Sequence, residues 1–350
     1  MSVPSSPAPK QPPALNPHEQ LILFGDLPTI ERSRVPDNLD VSFLHKSFCI
    51  AGLPLRAPKA IAEPFTRNDD RFALTINPTA FMLPGGRKVQ VGVPFGPKAR
   101  LLAMWMATEV RDPLRRTGDC WLEIGRVMEW MRNIGIKPHT NNLNATKDQV
   151  VRLSFAKFTM IMKEGREGDM LFDQDQLIER GILEGEDMNR YAEGKIGQMS
   201  WPKGLKLSTR AYERFSQYSI PVPTSRIAKI AHSAMAIDTF VFLCYRLPLI
   251  SSREEELVSW RQLIAQFGSG EAPSKFRETF EGSIKNALEA YPEAKVVLTD
   301  EGLRMRYSDP ADLRRAFVAM PGGKLATAKR GRKDKDGAES LSAGAPTSLV

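Results

Sequence analysis

A mixed α+β fold, mainly helical and built from two units of one pattern, is what this 350-residue sequence predicts. Three observations carry that expectation. Apolar stripes at three-to-four spacing come in groups of three, the mark of helices that bury one face. Each group is followed by short runs rich in β formers around a turn. The two groups follow one another, at about 97–207 and about 231–308, between ends that are too polar and too rich in Pro, Gly, Ala and Ser to bury a core.

The elements follow in order. Residues 1–20 read as a flexible Pro-rich arm, and 21–96 as an N-terminal extension in which Pro36, Pro54, Pro58 and Pro64 break any long element. Alternation in Arg71–Ile76 and again at Val89, Val91 and Val93, with a turn at Leu83–Lys88, predicts a β-hairpin. A helix over 97–110 buries Leu101, Leu102, Trp105 and Met106, with Pro97 in its first turn. A second, over 121–134, buries Trp121, Ile124, Met128 and Met131 and closes at Gly135. A third starts near 144, with Val151, Phe155, Phe158 and Met162 on one stripe; Thr159–Met162 also suits a strand. After a charged, Gly-broken stretch at 163–199, Pro202 and Gly204 suggest a turn between two short strands.

The order then recurs. Ile237, Phe240, Val241, Cys244 and Leu247 share a face of a helix over 231–247, stopped by Pro248. A short helix at 257–267 buries Trp260, Leu263, Ile264 and Phe267. The next, with Ser274 as N-cap, buries Phe276, Phe280, Ile284, Ala287 and Leu288. Val296–Leu298, Thr299–Gly302 and Leu303–Tyr307 read as a second hairpin. Three helices and a hairpin, twice over, predict tandem winged-helix domains with β-hairpin wings, at 97–220 and 221–310, followed by a disordered basic tail at 311–350.

Composition narrows the function. The net charge of +8 favours an anionic partner, because Lys and Arg that neutralise phosphates release bound counterions. Cys49, Cys120 and Cys244 are far apart with no CxxC pair, which argues against a disulfide framework or a structural zinc site and for reduced thiols in a cytoplasmic protein. No run approaches the ~20 apolar residues that cross a bilayer, and the first residues carry no export pattern, so no membrane partner is expected. No enzyme is expected either. GxxxxGK[ST] is absent, and Gly85-Gly-Arg-Lys lacks its spacing. His18, His45, His139 and His232 are dispersed, so Tyr212, Tyr218 and Tyr245 have no metal motif beside them for strand nicking. Nothing calls for a cofactor or a metal.

Candidate DNA contacts come from faces opposite the apolar stripes. On the third helix these are Thr146, Gln149, Arg152 and, further on, Lys157; Gln suits adenine and Arg guanine in the major groove. The helix from 274 offers Lys275, Arg277 and Lys285, diluted by Glu278, Glu281 and Glu289. On the second hairpin Leu303, Met305 and Tyr307 point one way, so Arg304 and Arg306 point the other and suit phosphate contact. Lys203 and Lys206 sit similarly in the first unit. Each of these sets equally suits a solvated face.

Several stretches in fixed order resemble the plasmid-encoded RepA-type replication initiators. They are Val91-Gly-Val-Pro-Phe-Gly-Pro-Lys-Ala-Arg-Leu-Leu102, Gly165–Leu207 ending in Trp201-Pro-x-x-Leu-x-Leu-Ser, Pro221-Val-Pro, the helix Ala236–Leu247, Trp260-x-x-Leu-x-x-Gln-Phe-Gly268, and the spaced Phe276-Arg, Tyr291-Pro and Gly302-Leu. They span roughly 70–310. The resemblance implies a plasmid- and nucleoid-associated protein that binds repeated sites in double-stranded origin DNA, opens the origin and recruits the host initiator and helicase machinery. It also implies a homodimer in exchange with a monomer, with the first winged module as dimer face. A transcriptional repressor of the same winged-helix type is the alternative.

Overall fold

The computed structural model describes residues 41–68, 72–111, 120–133, 136–164 and 169–308. The arm at 1–20, the basic tail at 311–350 and part of the N-terminal extension lie outside them. The described chain is mixed α/β, with ten α-helices and several small sheets.

Two helices form the centre. α2 (Gly96–Arg111) buries thirteen of its sixteen residues, and α8 (Ala234–Arg246) twelve of thirteen. A helix buried nearly all round sits inside a core, and these two pack on each other with their apolar residues in one continuous cluster.

Around each central helix the chain repeats the same succession. The first module runs α2, strand β6 (Trp121–Leu122), α3 (Gly125–Asn133), α4 (Thr140–Phe155), then strands β9 (Ile178–Ile182) and β10 (Gly204–Leu207). The second runs α8, β12 (Glu255–Ser259), α9 (Trp260–Phe267), α10 (Pro273–Ala290), β13 (Lys295–Leu298) and β14 (Gly302–Arg306). Both three-stranded sheets place the last strand in the middle, β6-β10-β9 and β12-β14-β13, antiparallel throughout.

Local chemistry explains the second module's boundaries. Ser259 and Gln262 form a reciprocal capping box that starts α9 directly from the end of β12. Pro273 occupies the first turn of α10, where its missing N–H costs nothing, and Ala272 rather than Ser274 is the N-cap. Gly302 turns β13 into β14 at φ +148, and a Cβ there would collide with the Val258 carbonyl. Trp260, Phe267, Phe276 and Phe280 stack or meet edge-on at 5.5–6.4 Å between α9 and α10.

Insertions separate the two modules. In the first, β7 (Lys157–Glu164) and β8 (Asp169–Gln176) follow α4 and join β2 (Phe65–Asn68) and β3 (Phe72–Asn77) in the sheet β2-β3-β7-β8. α5 (Asp187–Ala192) lies between β9 and β10. β4 (Thr79–Met82) pairs only with β5 (Lys88–Val91). The modules are joined by α6 (Thr209–Tyr218), β11 (Ser219–Pro223) and α7 (Thr224–Ile230). β11 pairs antiparallel with β1 (Val41–His45), which leads into the short α1 (Lys46–Ile50).

Several sequence expectations are corrected. The hairpin expected between Arg71–Ile76 and Val89–Val93 does not form, because β3 finds partners in β2 and β7 while β5 pairs with β4. The second helix begins at Gly125; Trp121 and Leu122 are an edge strand. The third helix begins at Thr140 and ends at Phe155, so Phe158 and Met160 belong to a strand. The partner of β10 comes from the Gly-broken stretch, at Ile178–Ile182, and not from the residues just before Pro202.

His45 is sealed between the rings of Phe215 and Tyr218. Its Nδ1 accepts from the Ser47 amide at 3.2 Å. Burial, with Arg214 and Lys46 nearby, lowers its pKa to about 3, so it is neutral in the fold.

Candidate nucleic-acid interface

An apolar core on one side of α10 leaves the other side in solvent. Phe276, Phe280, Ser283, Ile284, Ala287 and Ala290 face inward. Lys275, Glu278, Gly282, Lys285 and Glu289 are exposed on the opposite face. The first turn carries no acid and the last no base, the reverse of what the helix dipole rewards. That arrangement forgoes helix stability and keeps the N-terminal end, with Lys275, favourable to an anion. Lys275 pairs with Glu278 at 2.8 Å, an exposed ion pair of little net strength. The Arg277 guanidinium lies 4.8 Å from the centre of the Trp260 ring, which draws it toward the α9 side.

Gly282 is the residue that sequence reasoning missed here. A Cβ at this position would meet nothing within 4 Å, so no packing requires glycine. Glycine costs about 1 kcal/mol against alanine in mid-helix. A glycine on the polar side of an otherwise regular amphipathic helix was the available signal.

The sheet of the second module packs against α9, whose Trp260 meets Phe276 and Phe280 of α10. In register, Leu257, Arg304 and Val297 form one cross-strand row on its outer face, and Glu255, Arg306 and Lys295 the next. Leu303 and Met305 are buried and Arg304 and Arg306 exposed, as the alternation predicts. Tyr307, expected with the inward set, is exposed just past the strand. Arg306 Nε donates to Glu255 at 2.7 Å, and Arg304 Nη2 to Glu301 at 2.8 Å. The hydrogen bond and charge of Glu301 raise the Arg304 pKa further. Both arginines therefore hold surface carboxylates.

The first module is arranged differently. Thr146 and Gln149, expected on an outward face, are 2% and 3% exposed. Thr146 Oγ1 donates to the Asn142 carbonyl at 2.7 Å, and the Gln149 side-chain oxygen accepts from the Phe95 amide at 2.8 Å. Arg152 is half-buried. It donates to Asp148 at 2.8 Å, reaches the Val93 carbonyl at 3.3 Å, and lies 5.0 Å over the Phe95 ring. A Cβ at Gly92 would press on this guanidinium and on Ile61. Gln149 and Arg152 thus hold α4 against the loop that precedes α2, while Thr146 faces Met131 of α3.

The remaining side of α4 is covered as well. Val151 and Phe155 pack with Phe81, Val89 and Val91 of the β4–β5 hairpin and with Met188 and Tyr191 of α5. Phe81 stacks on Phe155 at 4.8 Å, and the Tyr191 hydroxyl donates to Asp148 at 3.2 Å. Lys157 is exposed, but it opens strand β7 and is not part of the helix. Lys203 is exposed before β10. Lys206, on β10, lies 3.7 Å from Glu179 and directly across from Arg180, an exposed cation that sequence reasoning passed over. Its strand was hidden in a stretch without alternation.

The structure therefore gathers Lys275, Arg277, Lys285, Arg304 and Arg306 on the second module and Lys203 and Lys206 on the sheet of the first, and it puts Thr146, Gln149 and Arg152 in packing. Among the described residues no three His, Cys, Asp or Glu side chains come together as a metal would need, and no helix is long and apolar enough to cross a membrane. Among the described residues, Cys49, Cys120 and Cys244 form no disulfide.

A family model described as plasmid-encoded RepA protein matches residues 93–262. Two solved structures are similar. One is of selenomethionine derivatives of domain 2 and domain 3 of RctB, at 12% identity and a TM-score of 0.43, covering 73% of this chain and 94% of that one. The other is of RctB domains 2–3, at 13% identity and a TM-score of 0.41, covering 71% and 83%. Likeness at that level carries no functional argument. No curated protein matches the chain.

Proposed function

Residues 93–262 belong to the plasmid-encoded RepA family, and from that premise we propose that the chain is a plasmid replication initiator that binds repeated sites in origin DNA. In this reading 97–220 and 221–310 are winged-helix domains, and the protein is a DNA-binding initiator without catalytic chemistry of its own. The succession helix, strand, helix, helix, strand, strand, with the last strand central, supports the winged-helix assignment in both modules.

One observation carries the DNA-binding side: α10 is the third helix of its module, its outer face is exposed, and the wing of the same module exposes Arg304 and Arg306. Third helices of this kind enter the major groove while the wing meets backbone. Lys275 and Lys285 would approach DNA from α10, with Gly282 giving the clearance. Lys203 and Lys206, with Arg180, would touch phosphates from the first module. Opening of the origin, recruitment of the host initiator and helicase, and a monomer–dimer exchange through the first module complete the proposal.

The test is a binding titration against the repeats that neighbour the gene and against scrambled DNA, at two salt concentrations. Preference for the repeats by ~10³ or more, with a steep salt dependence, is the expected result. Equal weak binding to both would overturn the reading. A plasmid carrying only the repeats, with the protein supplied in trans, separates an initiator from a repressor: replication supports the first, and silence with intact specific binding supports the second.

A further inference from the structure

One guanidinium ties the two modules together. Arg100 of α2 has five N–H donors, and all five are used. Nε donates to Asp238 Oδ1 and Nη2 to Asp238 Oδ2, each at 2.6 Å, a bidentate pair across to α8. Nη1 donates to the carbonyls of Pro54 at 3.0 Å and Gly96 at 2.9 Å, and Nη2 to that of Leu53 at 2.5 Å. Both side chains are buried, at 4% and 6% exposure. Gly52 is pressed against the same carboxylate; a Cβ there would lie 2.5 Å from Asp238 Oδ2.

The cluster joins three separate pieces of chain: the first helix of each module and the segment 52–54. Apolar contacts between α2 and α8 hold them together but have no preferred direction. A fork-to-fork Arg–carboxylate pair does, since rotating or sliding either helix breaks two parallel hydrogen bonds at once. A buried pair of this kind contributes little net stability compared with apolar residues of the same size. Its contribution lies in the geometry it imposes.

We infer that the Arg100–Asp238 pair sets the angle between the two modules, and so determines which spacing between the two parts of a DNA site the chain accepts. The inference rests on the DNA-binding reading above, with α10 at one part of the site and the Arg180–Lys206 row of the first module at the other. Arg100 and Asp238 touch no DNA; they are positioning residues, and the first helices they join are not the reading helices.

The experiment compares the full-length wild type with R100M/D238L, which removes both charges and keeps the volume. Both are titrated against the native site and against sites lengthened or shortened by about 5 bp, half a helical turn. Wild-type affinity is expected to fall by about tenfold or more on the out-of-phase sites, and the double variant to bind all of them within about threefold of one another. R100K, which keeps the charge and loses the fork, serves the same purpose if the double variant does not fold, and should lie between the two. A folded variant with the wild-type dependence on spacing overturns the inference, as does a wild type indifferent to spacing. Failure of the wild type to prefer the native site over scrambled DNA is a different result, and removes the DNA-binding reading itself.

Discussion

The third helix of the first module and the third helix of the second occupy equivalent places in the same succession of elements, yet they meet different surroundings. α4 is enclosed on both sides: Thr146 and Gln149 point into the core, and Val151 and Phe155 lie under the β4–β5 hairpin and α5. α10 buries one aromatic side and leaves the other bare from Lys275 to Glu289. The difference was made by insertion. The segment between β9 and β10 folds back as α5, and the hairpin arrives from upstream; neither has a counterpart between β13 and β14, which are joined by a short turn at Thr299–Gly302. Shared topology therefore places a helix without assigning it a task. What covers the helix decides whether it stabilises the protein or meets a ligand.

That contrast can be broken most severely from the core of the second module. Phe280→Ala opens the stack of Phe267, Phe276 and Trp260 and should cost about 3–5 kcal/mol, measured as a shift of the denaturant midpoint. Specific DNA binding should be lost with it.

Acid tests the enclosed side. The pKa of His45 is lowered to about 3 in the fold against an ordinary value of 6.5, so between these values the unfolded chain binds the extra proton. Stability is fully present above pH 6.5 and declines as pH falls through the window. From pH 7 to pH 5 the loss should be about 2 kcal/mol. A His45→Gln variant whose stability declines just as steeply over that range would show that another group is responsible.

A crossed pair of substitutions sharpens the comparison further. Gln149→Ala leaves the Phe95 amide without its buried acceptor and should cost about 1–3 kcal/mol of stability while leaving base preference unchanged. Gly282→Ala should do the opposite, raising stability by up to about 1 kcal/mol and weakening specific binding. Equal effects of the two variants on DNA affinity would erase the distinction between the helices. The smallest effect is expected at the wing. Arg306→Ala should hardly change stability, because its pair with Glu255 is exposed, and should lower the slope of log affinity against log salt by about one.

The helical succession was legible in the sequence because each helix carries its own periodic stripe, and a stripe needs only local information. The face assigned to α4 was not. Its stripe was drawn through Phe158 and Met162, which lie beyond the helix end at Phe155. The residues that turn inward, Thr146, Gln149, Val150 and Leu153, include two polar ones that pattern alone places outside. On α10 every inward residue except Ser283 is apolar, and the expected face was the observed one. The central sheet was hidden for a different reason. β7 is paired with β3, about eighty positions earlier, and no nearby turn announces the match. The edge strands β6 and β12 were absorbed into the helices that follow them, because two residues in one case and a Glu-led run in the other leave no alternation to read.

The pairing of β1 with β11 also constrains how the chain is made. Ser42 and Thr224 share a hydrogen bond at 2.8 Å across 182 residues. A ribosome adding ~5–20 residues per second needs roughly 10–35 s to supply that partner. Until then β1 is an unpaired edge carrying the apolar Val41, Phe43 and Leu44. The first module's central helix α2, which packs on β1, cannot finish its core either, although its own sequence emerged long before. Assembly is thus gated by the link between the modules, and the interval in which the nascent chain needs protection from aggregation closes only when residue 223 clears the ribosome.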